Sequence, residues 1–178
     1  MALIIYAMEY HNNRLIVNFK HQINNIRSLL FLFVLVILGI VWFSFETIMT
    51  ITLVIGFFID AIPSLFLHFQ YLRKNKGEEY KVLFDRIIQN KNGEQTEYLV
   101  SEMMLINIML PPALYKKSST QFLGIEAYYF ACVYLKNGEK LILTSLLHPK
   151  LDDILHQLKG VPIKRKSRLF NPLQWNYL

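Results

Sequence analysis

The hydrophobic pattern divides the chain near residue 70. Residues 28–45 read SLLFLFVLVILGIVWFSF and residues 47–69 read TIMTITLVIGFFIDAIPSLFLHF, with the single charge of Glu46 between them. Each run is long enough for a helix to cross a hydrocarbon core about 30 Å thick, which takes roughly 17–25 apolar residues. Because the connection at Glu46 is very short, the two helices must be antiparallel neighbours. The pattern predicts a two-helix transmembrane hairpin over residues 28–70.

Beyond the hairpin, apolar residues alternate with polar ones or form short runs bounded by turn residues, which is typical of β-strands. Five strands are predicted, over residues 80–88, 95–100, 103–110, 128–135 and 140–146. Asn-Gly turns separate the first strand from the second and the fourth from the fifth. One helix follows, from Pro149 to Gly160, and its apolar face comprises Leu151, Ile154, Leu155 and Leu158. Residues 71–160 are therefore predicted to form an antiparallel β domain closed by a C-terminal helix.

Residues 1–27 form a separate N-terminal segment, for which two structures are open. Residues 2–19 contain two short apolar runs on either side of the sequence HNNR. Asparagine tolerates the left-handed conformations of tight turns, which favours a β-hairpin. The alternative is an amphipathic helix that lies on the membrane. No cleavable signal is predicted, because the apolar run starts too late, is too long and is not followed by a small-x-small site.

Positive charges flank the hairpin and fill the C-terminal segment. The chain has a formal net charge of +6, and residues 159–178 hold five basic residues and no acidic one. Lys20 and Arg27 precede the first helix, Arg73 and Lys74 follow the second, and the connecting loop has no positive charge. The positive-inside rule then places both termini in the cytoplasm, with the protein in the cell (inner) membrane.

Asp60 and Pro63 interrupt the apolar pattern of the second helix. Asp60 lies about 20 Å from the loop at 1.5 Å per residue, and so is predicted to be inside the hydrocarbon. A charged carboxylate there costs several kcal/mol unless it is paired or hydrated. We expect it to pair with Arg27 or to close a contact with a second copy of the chain. An ion pathway is disfavoured, because two helices offer too few polar groups to line one.

The C-terminal segment, residues 161–178, combines basic with aromatic residues. Basic residues near an anionic leaflet contribute roughly 1 kcal/mol each, and Trp suits the membrane interface. The segment is predicted either to dock onto lipid headgroups or an acidic partner, or to be a terminal strand whose charges only follow the positive-inside rule. The candidate binding residues are Lys164, Arg165, Lys166, Arg168 and Trp175.

No catalytic or metal-binding motif is found in the sequence. None of the five histidines has a histidine partner four residues away, and the single cysteine excludes an internal disulfide. No GxSxG elbow or glycine-rich phosphate loop is present. The sequence predicts no enzyme activity, no metal and no cofactor. Nucleic acid is not an expected partner, because the basic excess is confined mostly to one tail.

The order of elements resembles that of the bacterial pleckstrin-homology-like (PH-like) membrane proteins. The resemblance rests on the hairpin over residues 28–69, on the strand pair YYFACVYLKNGEKLILTSLL and on the following HPKLDDILHQLKG. It implies a PH-like β barrel plugged by the helix, and no agreed catalytic residues. Eukaryotic relatives of the fold bind phosphoinositides through a basic loop between the first two strands. Here that loop, residues 89–94, has only Lys91 beside Glu94 and Glu97, so the site is not expected to be inherited.

The sequence therefore predicts an α+β membrane protein, in which a two-helix transmembrane hairpin precedes a PH-like antiparallel β domain. The predicted function is that of a non-enzymatic, membrane-anchored binding or assembly module at the cytoplasmic face. Expected partners are the lipid bilayer, anionic lipid headgroups, a membrane protein partner and a second copy of the chain. The alternative is a small accessory subunit of a membrane transport or enzyme complex that uses Asp60 and Pro63.

Overall fold

Two long helices connect the first strand of a sheet to its second strand. The computed structural model describes residues 14–43, 46–118 and 123–173. Strand β1 (Arg14–Ile16) precedes the helices, and strand β2 (Glu78–Val82) follows them. The two strands pair antiparallel, with Leu15 opposite Tyr80. The two ends of the helical hairpin are therefore held side by side by neighbouring strands of the first sheet. The described residues do not include 1–13, so the choice between a β-hairpin and an amphipathic helix for the N-terminal segment stays open for most of that segment.

Both helices are longer than the apolar runs that predicted them. Helix α1 is Phe19–Trp42 and helix α2 is Thr47–Asn75. Helix α1 begins earlier than the apolar run because the side chain of Asn18 accepts a hydrogen bond from the backbone N–H of His21, at 2.8 Å, which caps the helix. The helices are antiparallel and pack closely near their short connection, where a Cβ added to Gly39 would lie 2.9 Å from the side chain of Leu53.

The first sheet has the strand order β1-β2-β3-β4, with β3 at Arg86–Lys91 and β4 at Glu94–Leu99. The prediction of one strand over residues 80–88 is wrong, because the chain reverses between β2 and β3. The backbone N–H of Leu83 donates to the carbonyl of Arg86 at 2.9 Å to close this turn. The apolar alternation runs through the turn without a Gly or Pro, so the periodicity could not reveal it.

The second sheet has the order β7-β6-β5-β8. Its strands are β5 (Met103–Leu110), β6 (Phe130–Leu135), β7 (Lys140–Thr144) and β8 (Ile163–Ser167). Strands β5, β6 and β7 are antiparallel, whereas β8 lies parallel to β5, with Ile163 opposite Ile106. The first part of the basic C-terminal segment is thus an edge strand of this sheet.

Two short helices complete the fold, α3 (Pro112–Tyr115) and α4 (Leu151–Leu155). The helix predicted from Pro149 to Gly160 is therefore shorter, and its last residues form turns that end at Gly160, where φ is +93°. The four leucine and isoleucine residues of its predicted apolar face are nevertheless buried. Strand β8 follows, so this helix is not the C-terminal element of the domain.

The second sheet packs on both of its faces. One face packs against the first sheet and α4, in a core that includes Leu15, Ile106 and Leu155. The other face packs against α2, whose Leu67 and Tyr71 are completely buried. The architecture is a stack of three layers: the first sheet, the second sheet and the C-terminal half of α2, in that order.

Candidate functional site

The end of the hairpin exposes apolar side chains on nearly all of its surface. Mean hydropathy reaches 2.3 in α1 and 2.0 in α2, and both helices are long and apolar enough to cross a membrane. A contiguous apolar surface of this size is unusual on a soluble domain. The exposed side chains include Leu30, Phe31, Phe33, Val34, Leu35, Ile37, Leu38, Val41, Trp42, Ile48, Ile51, Ile55, Phe58, Ile59, Ile62, Phe66 and Phe69.

One face of α2 is buried against the β domain from its middle to its end. The buried residues along this face include Asp60, Ser64, Leu67, Tyr71 and Asn75. Their spacing of three or four residues places them on one side of the helix. The helix that carries the apolar surface is therefore also a core helix of the domain, without a linker between the two.

Asp60 anchors the upper end of this face to the domain. Both of its carboxylate oxygens accept the backbone N–H of Gly124, at 2.8 and 3.1 Å. A Cβ at Gly124 would lie 2.6 Å from the hydroxyl oxygen of Ser64, so the close approach requires glycine here. The expectation that Asp60 pairs with Arg27 is wrong: no ion pair joins them in the described parts of the chain.

The contact between Asp60 and Gly124 changes the interpretation of Asp60. The 3₁₀ turn Gly124–Ala127 folds back onto α2 and covers the carboxylate, so Asp60 is buried within the protein. This turn is distant in sequence, and a reading of α2 alone could not detect it. Asp60 therefore has a hydrogen-bond partner within the protein.

Further down α2, polar side chains bind the segment that follows β8. The hydroxyl of Tyr71 donates to the carbonyl of Asn171 at 2.7 Å. Gln70 makes two bonds with the backbone of Leu173, at 2.7 and 3.0 Å. One ring nitrogen of His68 lies 3.1 Å from the hydroxyl of Tyr128. The bonds of Tyr71 and Gln70 hold the end of the described chain along the helix, and the contact of His68 joins the helix to the residues just before β6.

Asn75 joins the last turn of α2 to strand β7. Its amide nitrogen donates to Glu78 Oε2 at 3.0 Å and to the carbonyl of Ile142 at 3.2 Å, and its amide oxygen accepts the N–H of Thr144 at 3.1 Å. The side chain is completely buried. Asn75 therefore satisfies two backbone groups of β7, which is an edge strand of the second sheet.

Glu78 is a buried carboxylate that extends this network into the first sheet. It accepts hydrogen bonds from the hydroxyl of Tyr80 at 2.6 Å and from Lys91 Nζ at 2.9 Å. Burial by itself raises the pKa of Glu78, but the hydrogen bonds from Tyr80, Lys91 and Asn75 outweigh it and hold the pKa below its ordinary value. The network thus keeps the carboxylate charged and ties α2 to both sheets.

The structure separates the basic residues predicted as one binding cluster. Lys164 and Lys166 lie opposite Asn107 and Met109, on the face of the second sheet that packs against α2. Arg165 points to the other face, because side chains alternate along a strand.

Arg165 forms an ion pair on its face of the sheet, whereas Lys164, Lys166 and Arg168 form none within the described residues. Its guanidinium donates to the carboxylate of Asp152 at 2.9–3.2 Å and contacts His156. Lys164, Lys166 and Arg168 are exposed, and within the described residues they form no ion pair. Trp175 lies outside the described residues.

Arg27 lines a cleft that the sequence reading did not detect. The cleft has a volume of about 820 Å³ and lies between the first turns of α1 and the loop that precedes α4. Lys20 and Lys150 also line it. Only the positions of Lys20 and Arg27 just before the apolar run could have indicated this site, because Lys150 is remote in sequence.

The described residues offer little for catalysis. Among them, no group of three or more His, Cys, Asp or Glu residues is arranged to hold a metal ion. Cys132 is buried in the core, and burial raises the pKa of its thiol, which disfavours the reactive thiolate.

The β domain thus consists of two packed sheets, antiparallel except for β8, with the short helix α4 in the core and exposed basic residues on its surface. A family model described as PH domain matches residues 6–153, which is most of the chain. The protein therefore belongs to this PH-domain family, and the predicted PH-like resemblance is confirmed. The match includes the helical hairpin and ends before β8.

The family assignment also confirms the coarser features of the prediction. The fold is α+β, with two long apolar helices followed by mainly antiparallel sheets. PH domains in general are non-catalytic modules that bind lipids or proteins. No curated protein and no solved structure matches the chain significantly.

Proposed function

We propose that the protein is a non-enzymatic, membrane-anchored PH-like binding or assembly module at the cytoplasmic face of the inner membrane. The observation that carries this proposal is the apolar end of the hairpin, whose exposed side chains no described part of the protein covers. An apolar surface of this extent matches the hydrocarbon core of a bilayer.

The anchor and the domain share helix α2. Helix α2 continues without interruption from its exposed apolar half into the core, where Leu67 and Tyr71 are buried. Tethering of this kind raises the effective concentration of a weak binding surface near its target. Because there is no flexible linker, it also fixes which face of the domain meets the membrane.

In this proposal, the part of the β domain that is closest to the hairpin lies within the membrane interface. Between Arg27 and the loop, α1 spans only about 22 Å at 1.5 Å per residue, which is less than the hydrocarbon thickness of about 30 Å. The exposed apolar face of α2 continues past this level through Phe66 and Phe69. The ring of Phe170, the second residue after Arg168, lies 6.4 Å from the ring of Phe66. These side chains extend the apolar surface to the thickness that a bilayer requires.

Both termini lie on the cytoplasmic side in this proposal. The pairing of β1 with β2 holds the two ends of the hairpin together, so both must emerge on one side of the membrane. Lys20 and Arg27 lie at one end, Arg73 and Lys74 at the other, and the Glu46 connection has no positive charge. The positive-inside rule assigns that side to the cytoplasm.

Cysteine labelling tests the anchor and its orientation. We expect Glu46→Cys to react with a membrane-impermeant maleimide in right-side-out vesicles, and Gln95→Cys to react only after permeabilisation. The parent chain is the control, because its single cysteine is buried. The protein should also stay in the membrane fraction during alkaline carbonate extraction. Extraction of the protein, or labelling of Gln95→Cys from outside, would contradict the proposal.

The basic residues beside α2 are proposed to contact the anionic leaflet. Strand β8 runs towards Phe170, which meets the anchor helix, so Arg168 lies nearest to the membrane and Lys166 next. The surface attraction falls off within a Debye length of about 8 Å, so we expect it to decrease from Arg168 through Lys166 to Lys164. Arg165 does not take part, because its guanidinium binds Asp152.

Lysine footprinting in nanodiscs checks this contact. We expect Lys166, and Lys164 to a smaller extent, to be acylated more slowly in nanodiscs of phosphatidylglycerol than in nanodiscs of phosphatidylcholine, and the difference to vanish in high salt. Lys136, which is exposed in the turn between β6 and β7, is the internal control. Equal acylation of the two β8 lysines in both lipids would argue for an acidic protein partner instead.

A further inference from the structure

The last described residues form a strap that extends from the second sheet to helix α2. This strap, residues 163–173, comprises β8 and the segment that follows it. Strand β8 pairs with the edge of β5 that no other strand occupies, and the segment after β8 lies along α2. The match to the PH-domain family ends at residue 153, so the strap lies outside the matched part of the chain.

Helix α2 binds the strap mainly through backbone groups of the strap. Gln70 bonds to both the N–H and the carbonyl of Leu173, and Tyr71 donates to the carbonyl of Asn171. The side chains of residues 164–170 are exposed, so the middle of the strap buries little surface. An element with few buried side chains opens more readily than the core of a domain.

A short hinge connects the strap to the core. Leu158 and Val161 are buried, so Pro162 alone separates the core from β8. Proline fixes its own φ at about −65° and restricts the residue before it to extended conformations, which disfavours a tight turn. Short hinges of this kind favour the exchange of an element between two copies of a chain.

An opened strap leaves contacts that the strap of a second copy can restore. The N–H of Ile106 loses its bond to the carbonyl of Pro162, at 3.0 Å, and Asp152 loses its ion pair with Arg165. Two opened straps do not pair with each other, because residues 164–168 include four basic residues. The strap of a second copy makes the same contacts as the chain's own strap, so the exchange has a low free-energy cost.

We propose that two copies of the protein exchange their straps in the membrane, so that each strap lies on β5 and α2 of the other copy. The partner is a second copy because the segment that fits this site is the chain's own. The exchange rests on the proposed membrane anchoring, since confinement of both chains to one bilayer raises their effective concentration. The result is a closed two-fold dimer in which each site is completed by the other copy.

Cysteine cross-linking between two differently tagged copies tests the exchange. One copy carries Met109→Cys and the other Lys166→Cys, at positions that lie opposite each other on β5 and β8. Both copies also carry Cys132→Ala. Adjacent strands lie about 4.8 Å apart, which is within the reach of a disulfide. After oxidation with copper phenanthroline in membranes, we expect at least about tenfold more disulfide between the two tags than in a control pair.

The control pair combines Met109→Cys with Lys136→Cys, which is exposed in the turn between β6 and β7 and reports proximity alone. A single chain with Met109→Cys and Lys166→Cys should also form the disulfide, which checks the reach between the two positions. Inter-tag disulfide no higher than that of the control pair would overturn the exchange.

A longer hinge gives a second, independent measurement. An insertion of about four Gly/Ser residues between Val161 and Pro162 lets the strap fold back onto its own chain. Native mass spectrometry of protein extracted in a neutral detergent should show dimers of the parent chain and mainly monomers of the insertion variant. A monomeric parent chain, or an equal dimer fraction in both, would overturn the exchange. If both chains stay in the membrane fraction in alkaline carbonate, that failure concerns the strap alone and leaves the anchoring intact.

Discussion

A chain that begins at Gln70 will not fold, whereas a chain that lacks only the apolar end of the hairpin will. The chain that begins at Gln70 lacks strand β1 with Leu15, and it lacks Leu67 of α2. The side chains of Leu15 and Leu67 are both completely buried. Burial of each such side chain contributes about 1.5–3 kcal/mol. The remaining end of α2 is too short to be a stable helix, so Tyr71 and Asn75 are no longer positioned. The total loss is comparable to the whole stability of a small domain, about 5–15 kcal/mol.

The shortened hairpin is the matched control for this truncation. In it, a Gly/Ser turn replaces residues 34–56, so that Phe33 and Phe57, whose rings lie 5.6 Å apart, still close the helix pair. Thermal unfolding in mild detergent, followed by circular dichroism, compares the two chains. We expect a cooperative transition only for the shortened hairpin. A cooperative transition of similar midpoint for the chain that begins at Gln70 would show that the β domain is independent of the hairpin.

Asn75→Ala will destabilise the protein more than any other single loss of a polar side chain on α2. The substitution leaves the carbonyl of Ile142 and the N–H of Thr144 without their partner inside the core. Each buried polar group that is left unsatisfied costs about 1–3 kcal/mol, so we expect a loss of about 3 kcal/mol or more. Asn90→Ala, at an exposed position of β3, should change the stability by less than about 0.5 kcal/mol.

Asp60→Ala, at the other end of the same helix face, should have a smaller effect. It removes a single partner, the N–H of Gly124, and we expect a loss of about 1–3 kcal/mol. Hydrogen exchange should increase in the segment around Gly124 but not in β5. Asp60→Asn keeps an acceptor oxygen and should lose less stability.

If Asn75→Ala unfolds at the same temperature as Asn90→Ala, the buried network does not link α2 to β7 as the structure indicates.

Much of the fold could be predicted because it depends on local pattern. The apolar runs of the helices, the mainly apolar strand β5 and the Asn-Gly turn between β6 and β7 are each encoded within a short stretch of the chain. In that turn Gly138 has a φ of +89°, which glycine adopts without strain. Such features carry their physical cause in the segment itself.

The candidate site could be predicted only in part, because its contacts join distant segments. Asp60 is conspicuous in an apolar helix, yet its partner Gly124 lies in a turn far along the chain. Arg165 belongs to a basic run, but the register of β8 against β5 turns it towards Asp152 and away from its neighbours. Alternation along a strand separates adjacent charges onto two faces, and only the pairing decides which face meets which layer.

The apolar hairpin, its positive flanks and the strand-forming pattern of the β domain were determined by the sequence alone, since each follows from the hydrophobicity and charge of consecutive residues. The tertiary structure decided that α2 is both an anchor and a core helix, because the burial of Leu67 and Tyr71 depends on the face of the second sheet. It also decided that Arg27 and Lys150 line one cleft. Side chains that are distant in the chain acquire a shared environment only when packing brings their elements together.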